Sequence, residues 1–151
     1  HMRLWRSRKP DWMYFLRAES FYNVATKEME YSGVFSERYH DQSHGQSFFS
    51  VLMKQTNKNG LYLLDEPEAA LSCQNQLALL YLIQSCVKQN CQFIIATHSP
   101  ILLGFPGAQI LSFDEGKIEE VDYKSTSSYQ TMKLFLDRYD YFVKDIKEND
   151  N

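Results

Sequence analysis

Length, composition and charge exclude several classes of protein for this chain. Its 151 residues suit one domain with a single hydrophobic core. The 16 Lys and Arg against 19 Asp and Glu give a formal net charge of −3, which argues against a broadly basic nucleic-acid surface. No apolar run approaches the roughly 18 residues that a membrane-spanning helix needs, so we predict no membrane span.

The two ends of the chain are predicted to lie outside the fold. His1 and Met2 are typical of the remnant of a cleaved expression tag, and a basic tail follows them up to residue 13. Residues 14–147 are predicted to form one domain. The polar residues 148–151 are predicted to be a frayed end.

The first part of this domain is predicted from short apolar patterns separated by polar segments. Ser20 is a candidate N-cap for the first helix. The predicted order is a strand at 14–18, a helix at 21–29, a loop at 31–45, a helix at 47–55 and a turn at 57–60.

The second part of the domain predicts a strand–helix–strand unit. Residues 61–64 form a continuous apolar run, which is typical of a strand that is buried on both faces. Apolar residues at helical spacing predict a helix over 75–89, and Gln-Phe-Ile-Ile-Ala at 92–96 predicts the next strand. Two strands joined through a helix in this way pair in parallel.

The C-terminal part predicts a hairpin followed by a helix. Strands over 109–113 and 117–123 flank the turn Asp114-Glu115-Gly116, and 128–147 predicts one amphipathic helix. The predicted fold class is therefore α/β, with a small, mainly parallel sheet, flanking helices and a terminal hairpin plus helix.

The cysteines indicate a reducing compartment. Cys73, Cys86 and Cys91 form no Cys-x-x-Cys pair and have no metal-ligand spacing. Their odd number and the lack of a signal peptide predict reduced thiols in a cytoplasmic protein.

Two adjacent carboxylates follow the apolar run at 61–64. Asp65 and Glu66 are predicted at the C-terminal tip of a parallel strand, where open α/β sheets bind ligands. Two such close negative charges repel each other unless a cation or a proton-transfer role separates their duties. Mg²⁺ carried by a nucleotide would supply that cation. The alternative is a strand end that runs into an acidic loop.

Four short segments occur in a fixed order along the chain. They are Gln42-Ser43-His44-Gly45-Gln46, Leu61 to Pro67, Glu68-Ala69-Ala70-Leu71-Ser72 and Ala96-Thr97-His98-Ser99-Pro100. In these segments the sequence resembles the ATP-binding-cassette (ABC) ATPase superfamily, and within it the soluble, non-transporter ATPases related to the SMC-like repair ATPases. The resemblance covers roughly residues 14 to 140 and implies a partial P-loop NTPase-type layer.

The resemblance implies a role for each segment. Asp65 matches the carboxylate that holds Mg²⁺ through water, Glu66 the catalytic base, and His98 the switch histidine that contacts the γ-phosphate. Two further segments are implied to act across a dimer interface. They are the signature segment, Ser43, His44, Gly45 and Gln46, and the D-loop, Ala70, Leu71 and Ser72.

Several of these residues depart from the family pattern or have a structural alternative. The family usually has Gly at the position of His44 and Asp at the position of Ser72. Ser47 and Ser72 could each simply cap the helix that follows, and a histidine after a strand, such as His98, is often structural.

One part of the family pattern is absent from the sequence. The phosphate loop Gly-x-x-x-x-Gly-Lys-Ser/Thr (Walker A) does not occur, and no Lys follows the nearest candidate, Gly104 to Gly107. We therefore expect the C-terminal lobe of an ABC-type ATPase. ATP and Mg²⁺ would bind only when a phosphate-loop lobe is supplied, and the isolated chain is expected to be inactive or nearly so.

The expected partners follow from the same interpretation. A lobe without its other half exposes strand edges or apolar patches, which predicts a homodimer or other self-association. An N-terminal phosphate-loop lobe is the other possible partner. The alternative functions are a non-hydrolysing assembly module and a nucleic-acid-associated fragment. The second alternative rests on analogy with the SMC-like relatives, and the net charge of −3 weakens it.

Overall fold

The structure is a computed structural model that describes residues 10, 12–18, 52 and 59–148. The chain divides into two compact units, the first ending at Thr97 and the second beginning at His98. The helix predicted at 21–29 and the loop predicted at 31–45 lie outside the described residues. Of the helix predicted at 47–55, only Leu52 is described, and it is helical and fully buried.

The first unit contains a three-stranded sheet in which every pair is parallel. Its strands are β1 (Trp12–Arg17), β2 (Gly60–Asp65) and β3 (Gln92–Ala96), in the order β1-β2-β3. Helix α1 (Cys73–Val87) connects β2 to β3, as the strand–helix–strand pattern predicted. The predicted α/β class with a mainly parallel sheet and flanking helices is confirmed.

The core of this unit involves one face of the sheet. Burial alternates along β2, so that Tyr62 and Leu64 are at most 2% exposed, and the ring of Tyr62 stacks on Phe93 at a centroid distance of 4.9 Å. Helix α1 contacts β3 and buries Leu79 and Ile83. These side chains are apolar and large, so their removal from water is the main stabilising contribution to the unit.

The opposite face of the sheet, which we call the open face, carries the apolar side chains of Met13, Phe15, Leu63 and Ile94. Met13, Phe15 and Ile94 are 56%, 62% and 56% exposed, and Leu63 is half-buried. The register places Phe15 beside Leu63 and Leu63 beside Ile94, so the four side chains form one apolar surface. The apolar run at 61–64 is therefore buried on one face, not on both as expected.

The second unit is built from short elements. Helix α2 (Pro100–Leu103) is followed by the two-residue strands β4 (Leu111–Ser112) and β5 (Glu119–Glu120), which pair antiparallel about the predicted turn. Tyr123 donates a hydrogen bond of 2.9 Å from its hydroxyl to the backbone oxygen of Pro100. The predicted hairpin is present, but its strands are shorter than the sequence pattern indicated.

The predicted helix over 128–147 is in fact two helices. Helix α3 (Ser127–Asp137) and helix α4 (Tyr139–Glu148) are separated by Arg138, whose φ of −127° and ψ of 29° are not helical. The ring of Phe135 in α3 packs against the rings of Tyr139 and Phe142 in α4. The prediction of one continuous helix is wrong because the sequence around Arg138 has neither Gly nor Pro to mark the break.

Nowhere in the described part of the chain does a helix combine the length and apolar character that crossing a bilayer requires.

Candidate functional site

The predicted pair of carboxylates lies at the C-terminal end of β2. Asp65 is the last residue of the strand and stands in register with Arg17 of β1 and Ala96 of β3. Its Oδ2 accepts a hydrogen bond of 2.7 Å from Nε of Arg17, and the two side chains are 29% and 53% exposed for Asp65 and Arg17 respectively. The metal carboxylate predicted from the sequence is therefore paired with a guanidinium group.

Glu66 has a left-handed backbone conformation. Its φ is 48° and its ψ is 50°, a region that side chains with a Cβ rarely adopt. The backbone N–H of Glu66 donates a 2.9 Å hydrogen bond to the oxygen of Ala96, which fixes the chain at the end of the sheet. Pro67 then begins a 3-10 turn, Pro67–Ala70. This turn leaves the side chain of Glu66 exposed, while that of Asp65 stays partly buried.

A second hydrogen bond joins the segments that leave β2 and β3. Thr97 donates from Oγ1 to Oε2 of Glu68 across 2.7 Å. The bond holds the 3-10 turn after β2 beside the residue that follows β3. Sequence analysis had assigned no individual role to Thr97 or Glu68. The sequence indicated these two residues only because each lies inside one of the four segments that resemble the ATPase superfamily.

The predicted D-loop residues have clear structural roles. Ala70 and Leu71 are 8% and 7% exposed, and the buried amide of Gln76 donates to the oxygen of Leu71 across 3.1 Å. Ser72 is the N-cap of α1, because its Oγ accepts a hydrogen bond of 3.3 Å from the N–H of Asn75. The capping alternative for Ser72 is thus confirmed, and a role at a dimer interface stays a prediction.

A pocket lies beside the carboxylates. Its volume is about 200 Å³, and it is lined by Arg17, Ala18, Asp65, Glu66 and Ala69. Arg17 is the charged lining residue that the sequence did not predict. The only sign of it was a charged residue at the end of an otherwise apolar strand, because its partner is 48 residues away in the chain.

The side chains that line this pocket suit a metal ion that arrives with a nucleotide, and they do not suit a site made of protein ligands alone. Among the described residues, no group of three or more His, Cys, Asp and Glu side chains could hold a metal ion. A cage made of protein ligands alone is therefore not formed there. Mg²⁺ that arrives with nucleotide phosphates needs only one or two carboxylates from the protein, and the carboxylate of Asp65 lines this pocket.

The remaining predicted site residues are not brought together by the described structure. His98 is exposed and begins the second unit, so its approach to Glu66 stays a prediction. The neighbouring Ser99 is buried and caps α2 by accepting hydrogen bonds from two backbone N–H groups. The signature residues Ser43, His44, Gly45 and Gln46 lie outside the described residues.

Two comparisons with known proteins find similarity over these segments. A family model described as an AAA ATPase domain matches residues 42–103. Residues 42–103 are therefore similar to ATPases of the ABC/AAA type. A stretch of 93 residues is also 30% identical to an uncharacterized ABC transporter ATP-binding protein of Haemophilus influenzae. That match covers 61% of this chain and 35% of the relative, so the aligned part spans about a third of that protein.

Proposed function

We propose that this chain forms the C-terminal lobe of an ABC-type ATPase domain. In this proposal it hydrolyses Mg²⁺-ATP at a dimer interface once a phosphate-loop lobe completes the site. The observation that carries the proposal is the pair Asp65 and Glu66 at the tip of a central parallel strand, beside a pocket and inside the family match. In α/β proteins this edge of the sheet is where ligands bind.

Each proposed role uses a different property of its side chain. Asp65 would hold Mg²⁺ through water, and the ion would neutralise charge on the phosphate oxygens. Glu66 has an exposed carboxylate that can accept a proton from the attacking water. His98 would contact the γ-phosphate, and the signature residues would do so from the opposite subunit.

The open face supports the idea that another lobe is required. Parallel sheets occur almost entirely with both faces covered, yet Met13, Phe15 and Ile94 are each more than half exposed. The sequence also contains no phosphate loop, which supplies most of the affinity for phosphates in P-loop ATPases. We therefore propose that a phosphate-loop lobe or a second copy of the chain covers this face.

The open face also favours a second candidate function. A lobe that associates through an apolar surface could act as an assembly module that never hydrolyses ATP. A nucleic-acid-associated role rests only on analogy with SMC-like relatives, and the net charge of −3 argues against it. The cytoplasmic location belongs to the same proposal and is supported by three cysteines that form no disulfide.

A chimera tests the proposed function. The matching segment of the Haemophilus influenzae relative would be replaced by this chain, and phosphate release from ATP would be measured. The proposal predicts turnover that falls by at least about a hundredfold in Glu66→Gln and persists in Glu120→Gln, a matched change in the hairpin. Turnover that survives Glu66→Gln would exclude hydrolysis by this site. A folded chimera that binds ATP without turnover would favour the assembly module.

A further inference from the structure

Asp65 has a cationic partner within the described structure, and that partner is Arg17. The two residues are directly opposite each other in the β1–β2 register, so their side chains leave the same face of the sheet. Nε of Arg17 lies 2.7 Å from Oδ2 of Asp65, and both residues line the pocket. A guanidinium group at this position occupies a carboxylate oxygen that a metal ion or its water ligands would use.

The competition between Arg17 and a divalent cation has two physical parts. The guanidinium takes hydrogen-bonding capacity from the carboxylate, and its positive charge repels another cation at close range. The pairing is nevertheless weak, because an ion pair in which Arg17 is 53% exposed is screened by water. A cation that arrives with the charges of a nucleotide triphosphate can therefore displace it.

We propose that Arg17 is a positioning residue that occupies the Asp65 carboxylate until a nucleotide-bound divalent cation takes its place. The inference rests on the proposed function, because it takes Asp65 as the metal carboxylate. It assigns two effects to Arg17. The carboxylate keeps a fixed orientation before the metal arrives, and divalent cations without nucleotide bind poorly.

The test measures Mn²⁺ binding to the chain without nucleotide, with free Mn²⁺ followed by electron paramagnetic resonance. Mn²⁺ prefers the same oxygen ligands as Mg²⁺. The variants are Arg17→Gln, Arg17→Lys and the double variant Arg17→Gln/Asp65→Asn. Lys133→Gln is the matched control, because it removes one positive charge from the Lys133–Asp137 ion pair of the second unit.

The proposal predicts that Arg17→Gln binds Mn²⁺ about threefold to fivefold more tightly than the unchanged chain. Arg17→Lys should fall between the two, because a lysine keeps the charge but loses the planar match to the carboxylate. Lys133→Gln should leave the affinity unchanged. The double variant should lose the gain, since the gain depends on Asp65.

Three results would contradict the proposed role of Arg17, each for a different reason. Equal Mn²⁺ affinity in the unchanged chain and Arg17→Gln, still dependent on Asp65, would overturn the role of Arg17 alone. Weaker binding in Arg17→Gln with a lower unfolding temperature would show that the ion pair only supports the fold, which also overturns it. No binding by any form at millimolar Mn²⁺ would show that Asp65 holds no divalent cation without nucleotide, which overturns the inference about Arg17 and leaves the proposed role of Asp65 in the completed site untouched.

Discussion

The left-handed backbone of Glu66 predicts an unusual response to substitution. A residue with a Cβ loses about 1–2 kcal/mol in this conformation, whereas glycine adopts it freely. Glycine also makes the unfolded chain more flexible, which lowers stability by about 0.4–1 kcal/mol. The difference leaves Glu66→Gly more stable than Glu66→Ala by roughly 0.5–1 kcal/mol, which corresponds to an unfolding temperature about 1–4 °C higher in a chain of this size.

The comparison of glycine with alanine isolates the backbone effect, because both substitutions remove the same carboxylate. Gln84 is the matched control, since it is exposed and lies inside helix α1. There glycine should be less stable than alanine by about 1 kcal/mol, the usual helix preference. Urea unfolding followed by circular dichroism gives all four free energies of unfolding.

The sign of the stability difference between Glu66→Gly and Glu66→Ala shows whether the backbone at Glu66 is strained. If Glu66→Gly is no more stable than Glu66→Ala, while Gln84 shows the ordinary order, then no backbone strain is held at Glu66. If the predicted sign is observed, the residue proposed as the catalytic base is retained at a cost in stability, which is common at functional sites.

Three further predictions concern packing, thiol chemistry and the hydrogen bond between strand ends. Leu79→Ala, at a fully buried position, should lower the free energy of unfolding by about 2–5 kcal/mol, whereas Leu77→Ala at a half-exposed position should lower it by less than about 1 kcal/mol. Burial raises the pKa of the Cys86 thiol, so in the folded chain at pH 8 iodoacetamide should modify the exposed Cys73 first, and mass spectrometry that finds equal rates would contradict this. The same shift means that the contribution of Cys86 to stability is present below its ordinary pKa of 9.0 and is lost as the pH rises above it. Thr97→Val should lower the free energy of unfolding by about 1 kcal/mol, and an unchanged urea midpoint would show that its hydrogen bond adds nothing.

Sequence patterns were sufficient for the parts of the fold that depend on local chemistry. The apolar runs of β2 and β3 and the helical spacing of α1 each indicate one element by themselves. Their order then implies the parallel sheet, and the sheet places Asp65 and Glu66 at the carboxyl ends of its strands, the edge where α/β sheets commonly bind ligands. These steps need no knowledge of distant contacts, and for that reason the fold class was predicted correctly.

Other features depend on contacts or conformations that no local pattern encodes. The Arg17–Asp65 pair is fixed by strand register across 48 residues, and Glu66 belongs to a residue type that gives no sign of a left-handed conformation. The break at Arg138 contains neither Gly nor Pro, so no local signal in the sequence marks it. Such features are determined by tertiary structure and overrule the local preference of the chain.

Binding of Mg²⁺-ATP to the isolated chain tests the central claim most directly. Calorimetry on the Glu66→Gln variant measures binding without turnover. The account predicts no binding at millimolar ATP, because the phosphate loop must come from another lobe. Binding at micromolar ATP would contradict it, since this chain would then contain a phosphate site of its own.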